Sequence, residues 1–230
     1  IGKGKMNMIQ VIFCSRHLYN EKNEIDVSLE LPTDTETVKR YMETAGIKDK
    51  NDLLISDYTI HELYAGSCGE YQNWVGADLN ELNYLAERLE KMFNEDMFEE
   101  YCALLRMYQP QNTADMINLS YGFDKVSYDP EIKNNQKLGE YVVKNNLFEV
   151  SEDMKSFVDY NKVGELYLDT MKHSEDAGVM QVNEDGCICD MHKGQERYAY
   201  YDGMNIPDEY MILTEATFEN EEPPQQDIQN

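Results

Sequence analysis

The chain has 230 residues and carries 45 acidic against 20 basic side chains, so its formal net charge is −25 at pH 7. This balance argues against direct binding to DNA, RNA or anionic lipid, because contacts with phosphate need Lys and Arg. A disordered chain is excluded as well. Hydrophobic residues make up 41% of the sequence and 17 residues are tyrosines, which is enough apolar and aromatic mass to form cores.

The acidic residues are spread along the whole chain and are not gathered in a tail. Residues 77–100 hold eight acidic and two basic side chains, and residues 184–222 hold eleven and two. The folded surface is therefore expected to be negative almost everywhere, with a self-repulsion that opposes compactness. A chain that keeps such a field is expected to use it. Its natural partners are proteins with basic grooves shaped for nucleic acid.

Residues 6–64 are predicted to form a small N-terminal α+β domain. Strand composition marks three runs, at residues 8–14, 25–31 and 53–60. The second run alternates apolar and polar side chains, which is typical of a half-buried strand. A helix is predicted to start at Thr33 or Asp34 and to end near Ala45, because Gly46 follows its last apolar position.

Residues 77–110 are predicted to form an acidic helical domain. The first helix starts at Asp78 and carries a leucine-rich stripe at helical spacing, with its acidic residues off the stripe. The second helix, at about 95–107, sets most of its acidic residues outward. Neighbours at i+3 and i+4 lie about 5–6 Å apart on a helix surface. Each helix can therefore present carboxylates at roughly the spacing of successive phosphates along one DNA strand.

Residues 111–183 are predicted to form a second α+β domain. Its elements are expected to be a strand at 117–123, a helix at 136–145, a helical stretch in two pieces at 151–167 and a strand at 178–182. A β-rich extension is predicted at 184–218, with strand-like runs at 197–201 and 210–214, and a disordered tail at 219–230. The fold class is α+β: an elongated multi-domain chain of small α/β units that flank a helical unit.

The sequence contains no convincing catalytic motif. It lacks the phosphate-binding and nucleophile patterns G-x-x-x-x-G-K-[ST], G-x-G-x-x-G and G-x-S-x-G. His61-Glu62 does not form H-E-x-x-H, because position 65 is Ala. We therefore expect a protein that is not an enzyme and needs no cofactor.

One cluster has the residue types of a metal site. Cys187, Cys189 and His192 lie close together in sequence, and His173 could join them. Structural zinc sites usually combine a C-x-x-C pair with a second ligand pair, so this spacing is a weak signal. The simpler interpretation is two small side chains on a strand beside a turn, and no metal is predicted.

The remaining sequence features bear on location. No apolar run approaches the roughly 18 residues that a membrane-spanning helix needs, and no signal-peptide pattern opens the chain. There are five cysteines, an odd number without framework spacing, which fits a reducing cytoplasm. Cys14, Cys68 and Cys102 are expected to be core or loop thiols. The predicted location is cytoplasmic.

Several runs of the chain follow an order that is found in one protein family. DLNELNYL at 78–85 resembles the pattern I-x-E-L-N-x-L, with Leu79 at the position of Ile. LGEYVVKNNLFEV at 138–150 is followed by FVDY at 157–160 and by Val163-Gly164, similar to L-G-x-Y … Y-I-D-Y-x-x-x-G-R-D. Over roughly residues 8–183 the chain thus resembles the ArdA family of antirestriction proteins.

The resemblance has two departures. The family commonly has Gly-Arg-Asp where this chain has Gly164-Glu165-Leu166, so a specific role of that arginine has no counterpart here. Residues 184–230 extend beyond what shorter members contain, and their purpose is not explained by the resemblance.

The resemblance implies a non-catalytic protein, carried by mobile elements, that imitates duplex DNA. Such proteins are elongated dimers that occupy the DNA groove of type I restriction–modification enzymes. The implied partner is the methyltransferase core of such an enzyme, and a homodimer is expected. The predicted DNA-mimic surface comprises Glu81, Glu87, Glu90, Glu95, Asp96, Glu99, Glu100, Asp124, Asp129, Glu131, Glu140, Glu149, Asp153 and Asp159.

Three alternatives stay open at this point. The acidic helices could simply form the solvated face of a very soluble protein. The chain could be an acidic adaptor that binds another basic DNA-binding protein, such as a nucleoid protein. It could also be a metal-dependent enzyme whose site the sequence does not reveal.

Overall fold

In the computed structural model, two compact units make up the chain. The structure describes residues 6–60, 77–108, 110, 112–121, 123, 126–168, 172–174, 178–182, 206–214, 217 and 218. The first unit takes Ile1–His61, Val75–Glu87 and Ile206–Asn230, and the second takes Glu62–Trp74 and Arg88–Asn205. Helices and small antiparallel sheets occur in both units, so the predicted α+β class is confirmed. The five-part domain division stays a prediction.

The first unit is built on a three-stranded antiparallel sheet. Its strands are β1 (Ile9–Ser15), β2 (Val27–Leu31) and β3 (Leu53–Ile60), in the order β2-β1-β3. The alternation in β2 buries every second side chain, because successive residues of a strand point to opposite faces. All three strands were predicted from the sequence. A short helix, α1 (Arg16–Asn20), lies in the connection after β1.

Helix α2 (Thr35–Ala45) packs on this sheet through one apolar stripe. Asp34 caps its first turn by accepting a hydrogen bond from Thr37 N at 2.7 Å, which satisfies one of the free N–H groups of a helix start. Gly46 ends the helix at φ 70°, in the left-handed region that glycine enters without penalty. Both ends confirm the predicted helix.

A carboxylate fixes the turn between β1 and α1. Asp52 accepts hydrogen bonds from the Ser15 hydroxyl and from His17 N, each at 2.8 Å. Partial burial raises the pKa of the Asp52 carboxyl, but these hydrogen bonds and one from the Lys48 backbone outweigh it. The net pKa therefore lies below its usual value, because the bonds favour the charged form.

Helix α3 (Leu79–Asn94) begins in the first unit and ends in the second. The first unit contains its residues up to Glu87, and also the segment 206–214 with a 3-10 turn at Asp208–Tyr210. A strand was predicted at 210–214, and this prediction is wrong. The N–H groups of Ile212 and Leu213 bond to a side chain of α3 instead of to a neighbouring strand.

The second unit continues with helices α4 (Phe98–Tyr108) and α5 (Thr113–Leu119). The strand predicted at 117–123 is wrong, because this part of the chain begins within α5. Asn112 caps α5 by accepting from Asp115 N at 2.9 Å, and every residue of the helix is buried. A short helix that is buried on all sides lacks the amphipathic period by which a helix is recognised in a sequence.

The rest of the second unit combines a small sheet with a helix pair. The antiparallel strands β4 (Val126–Asp129), β5 (Lys172–Ser174) and β6 (Gly178–Val182) have the order β4-β6-β5. Helices α6 (Asn135–Lys144) and α7 (Tyr160–Tyr167) surround a core of Ile132, Leu138, Val142, Val143 and Val163. A 3-10 helix at Glu152–Phe157 precedes α7, so the helix at 136–145, the two helical pieces at 151–167 and the strand at 178–182 are confirmed.

Two glycines let α6 and α7 approach backbone to backbone. A Cβ atom at Gly139 would lie 1.9 Å from the carbonyl oxygen of Tyr160, and one at Gly164 would lie 2.0 Å from that of Asn135. Both distances are far below van der Waals contact, and the obstacle is backbone that cannot rotate away. Each helix therefore needs glycine where the other crosses it.

Two further predictions concern the cysteines and the membrane. Cys14 is a buried free thiol, as expected, whereas Cys102 is disulfide-bonded, so the thiol predicted there is wrong. Among the described residues, none of the helices has the length and apolar character needed to cross a membrane. The strand-like run at 197–201 and the tail at 219–230 lie outside the described residues.

Replacing Gly164 by alanine is expected to destabilise the second unit by more than about 2 kcal/mol, because an added methyl group must displace packed backbone. The comparison is Asn161→Ala, which places alanine at an exposed position of the same helix. Denaturant unfolding measures both. Alanine is the better helix former by about 1 kcal/mol, so a Gly164→Ala protein as stable as wild type would contradict the close approach.

The Asp52 network predicts a pH-dependent contribution to stability. The folded pKa of Asp52 lies below the unfolded value of about 3.8. Its contribution is thus fully present above 3.8 and is lost as the pH falls through the folded pKa. Wild type and Asp52→Asn are expected to differ in unfolding free energy at neutral pH. The two free energies should converge as the pH falls from about 3.8 through the folded pKa. An equally large difference at all pH values, or the same convergence for exposed Asp26→Asn, would refute this role.

Candidate partner-binding surface

The structure divides the predicted acidic residues of α3 by burial. Glu81 is only 5% exposed, so its assignment to an exposed surface is wrong. The apolar stripe alone predicted a solvated opposite face, but Leu79–Ala86 is buried all round, and the segment 206–214 contacts this part of α3. Glu87 and Glu90, further along the helix, are half-buried.

Three of the predicted carboxylates are exposed in the turn between α3 and α4, a name that we use for residues 95–99. Glu95 and Asp96 directly follow the last residue of α3, and Glu99 lies in the first turn of α4. Asp96 adopts φ 59°, a left-handed conformation that Asp tolerates better than most residues. Glu99 sits where the N-terminal helix dipole favours negative charge. None of these three residues forms an ion pair with any part of the chain that the structure describes.

The first turn of α4 and the end of β4 share one electrostatic environment. Burial raises the pKa of the Tyr128 hydroxyl, and the charges of Glu99, Glu100 and Asp129 raise it further, while Arg106 opposes them. Burial also raises the pKa of Glu100. Predicted residues that lie about 30 positions apart are therefore brought together around Tyr128. Glu100 is half-buried, and its burial disfavours the charged form of the carboxyl group.

The later members of the predicted surface are mostly exposed. Glu131, Glu149 and Asp153 are exposed and have no ion pair among the described residues. Asp129 is half-buried and accepts a hydrogen bond from Glu131 N at 3.0 Å, which closes a turn after β4. Asp124 lies outside the described residues.

Lysines one helical turn away compensate two other predicted residues. Lys137 Nζ lies 2.7 Å from Glu140, and Lys162 Nζ lies 3.9 Å from Asp159. The hydrogen bond from Lys137 is the main cause that lowers the pKa of Glu140. Asp159 also caps α7 by accepting from Lys162 N. These two carboxylates thus have local structural roles, and the nearby lysine weakens the attraction that each can exert on a basic partner.

The structure shows three large apolar side chains that are exposed to solvent, which the sequence did not reveal. Phe157 is 79% exposed and Leu166 is 69% exposed, and Met154 is exposed as well. Phe157 stands in the FVDY run at 157–160 and Leu166 in α7, where a helical apolar pattern predicts burial. Only the packing of α6 against α7 shows that these side chains point away from the core.

The described residues contain no group of three or more His, Cys, Asp or Glu that could hold a metal ion. Cys187, Cys189 and His192 lie outside the described residues. His173 lies in β5. The geometry of the described part therefore centres on carboxylates at helix ends and turns, several of them exposed and uncompensated.

These features define an acidic α+β protein in which several exposed carboxylates have no ion pair among the residues that the structure describes. A family model described as "Antirestriction protein (ArdA)" matches residues 15–181, which is well over half of the chain. The chain belongs to the ArdA family of antirestriction proteins, and the resemblance seen in the sequence is confirmed. No match was found among the curated proteins.

Proposed function

We propose that this antirestriction protein acts as a mimic of duplex DNA and blocks the DNA-binding groove of type I restriction–modification enzymes. Family membership supports an antirestriction role. The observation that carries the mimic hypothesis is a set of exposed carboxylates, on a chain of net charge −25, that have no ion pair within the described part of the chain: Glu95, Asp96 and Glu99. A groove that binds DNA holds Lys and Arg opposite phosphates, and carboxylates can take the place of those phosphates.

Inhibition of this kind requires no chemical step by the protein. Opposite charges steer the two proteins together and raise the rate of encounter. Occupation of the groove then excludes DNA by competition. Because the attraction is electrostatic, the affinity is expected to fall as salt screens the charges. We place this encounter in the cytoplasm.

The contribution of the predicted surface is expected to be uneven. An exposed charge pair is worth about 0.2–1 kcal/mol, so no single carboxylate dominates. Glu140 and Asp159 already face lysines of their own chain, so they attract a basic partner less strongly. Glu81 is buried and drops out. The turn between α3 and α4 is therefore the proposed centre of the contact, with Glu131, Glu149 and Asp153 as further contacts.

We also propose that the protein is a homodimer, which would double the number of carboxylates that one inhibitor presents. Two-fold symmetric dimers are the commonest closed assemblies. The exposed apolar side chains Met154, Phe157 and Leu166 support this assembly, since solvated apolar groups of this size gain free energy when they are covered. A second copy of the chain is the occupant we propose for them.

Neutralising the α3–α4 turn should weaken inhibition in a graded way. Each of Glu95→Gln, Asp96→Asn and Glu99→Gln is expected to cost about two- to fivefold in inhibition constant, and the triple variant more than about tenfold. The measurement is DNA cleavage by a purified type I restriction enzyme at several salt concentrations, with DNA as competitor. The control variant, Glu24→Gln with Asp26→Asn and Glu43→Gln, removes the same charge from exposed positions of the first unit.

Three outcomes would speak against the mimic. Equal losses in the control would make net charge, and not position, the cause. Complete loss through one substitution would indicate a true active site. Inhibition that excess DNA does not relieve would favour a different basic partner, as in the adaptor hypothesis.

Phe157→Ser is expected to shift the dimer towards monomer, because it removes the most exposed of the apolar side chains from the proposed interface. Sedimentation equilibrium measures the change, which should be at least about tenfold in dissociation constant. Tyr19→Ser is the control, since Tyr19 is an exposed aromatic residue of the first unit. A monomeric wild type, or equal effects of both variants, would end the proposal.

A further inference from the structure

Three residues on one face of α3 contact the C-terminal segment 206–214 within the first unit. They are Asn80, Asn83 and Tyr84, and their spacing of i, i+3 and i+4 places them side by side on the helix. Both asparagines are buried, Asn80 to 2% exposure. Buried amides of this kind are costly unless they are hydrogen-bonded, so their partners decide what this face does.

Asn80 binds the backbone of the segment at three atoms. Its Oδ1 accepts hydrogen bonds from Ile212 N at 2.9 Å and from Leu213 N at 2.8 Å. Its Nδ2 donates to the carbonyl oxygen of Leu213 at 2.9 Å. One side-chain amide thus satisfies the N–H groups of Ile212 and Leu213 and the carbonyl group of Leu213.

Asn83 and Tyr84 extend the same contact towards the start of the segment. Asn83 Nδ2 donates to the carbonyl oxygen of Tyr210 at 3.2 Å, while its Oδ1 accepts from Thr33 N at 2.8 Å. The ring of Tyr84 packs on that of Tyr210 with centroids 4.9 Å apart. Asn83 therefore links the segment to the chain that follows β2.

The segment is also part of the core of the first unit. Ile212 is buried and Leu213 is 1% exposed. Thr214 N donates to the hydroxyl of Thr217 at 2.9 Å, and Thr217 is buried as well. All of these residues lie beyond the family match at residues 15–181.

In the matched helix, Asn80 and Tyr84 occupy the two unspecified positions of I-x-E-L-N-x-L.

We propose that Asn80, Asn83 and Tyr84 form a peptide-binding site, and that residues 210–213 of the same chain are its ligand. The segment acts as an intramolecular strap that completes the N-terminal unit. Because the hydrogen bonds reach backbone atoms, the site selects a peptide that turns two successive N–H groups to one side and buries the apolar side chains of both residues. The C-terminal extension therefore has a structural task that is independent of the acidic surface.

Hydrogen exchange in the full-length protein, read by NMR at single amides, tests the strap. In wild type the amides of Ile212 and Leu213 should exchange slowly. In Asn80→Ala they should exchange about ten- to a hundredfold faster, since the acceptor of both is removed. The control is Asn94→Ala, an exposed asparagine at the end of the same helix, which should leave both amides unchanged.

Two results would overturn the proposal. The first is exchange of these amides in wild type at the rate of an unstructured peptide, which can be read even if Asn80→Ala does not fold. The second is protection that rises with protein concentration, since it would place the segment on a second copy of the chain. Tyr84→Leu, which keeps both asparagines, provides a milder variant in which the amides should exchange several-fold faster than in wild type.

Discussion

Repulsion between like charges is the constraint on which the rest of this structure depends. Forty-five carboxylates on 230 residues oppose compactness, so each unit must gain its stability from well-buried apolar side chains. The first unit buries one face of a small sheet under α2, and the second buries α5 completely and packs α6 on α7 through two glycines. Close packing of this kind leaves the charges at the surface, where water screens them.

The fold also places many carboxylates where a local partner lowers their cost. Asp34 and Asp159 cap helices, Asp52 accepts bonds at the start of α1, and Glu140 faces Lys137. A charge that is satisfied within the chain attracts a basic partner less strongly. The requirement for stability and the proposed requirement for binding therefore select different carboxylates. The α3–α4 turn, with Glu95, Asp96 and Glu99, is the place that we propose for the second requirement.

Local signals made much of the fold predictable. Helix α2 was predicted within two residues of its start, because a cap, an apolar stripe and Gly46 all agree. The failures share one cause, which is burial by distant parts of the chain. Residues 117–119 belong to a helix without a polar face, and residues 210–214 have strand composition but bond to Asn80. Glu81 was assigned to the surface because nothing near it in sequence shows what covers it.

The sequence by itself determined the net charge, the α+β class and the membership of the ArdA family, since these rest on composition, on short-range periodicity and on the order of motifs. The tertiary structure decided which carboxylates are exposed, which are paired with lysine, why α6 and α7 need glycine, and where the C-terminal segment lies. These properties depend on contacts between residues far apart in the chain, such as Asn80 and Leu213, which are 133 positions apart. Only folding brings such residues within hydrogen-bond distance.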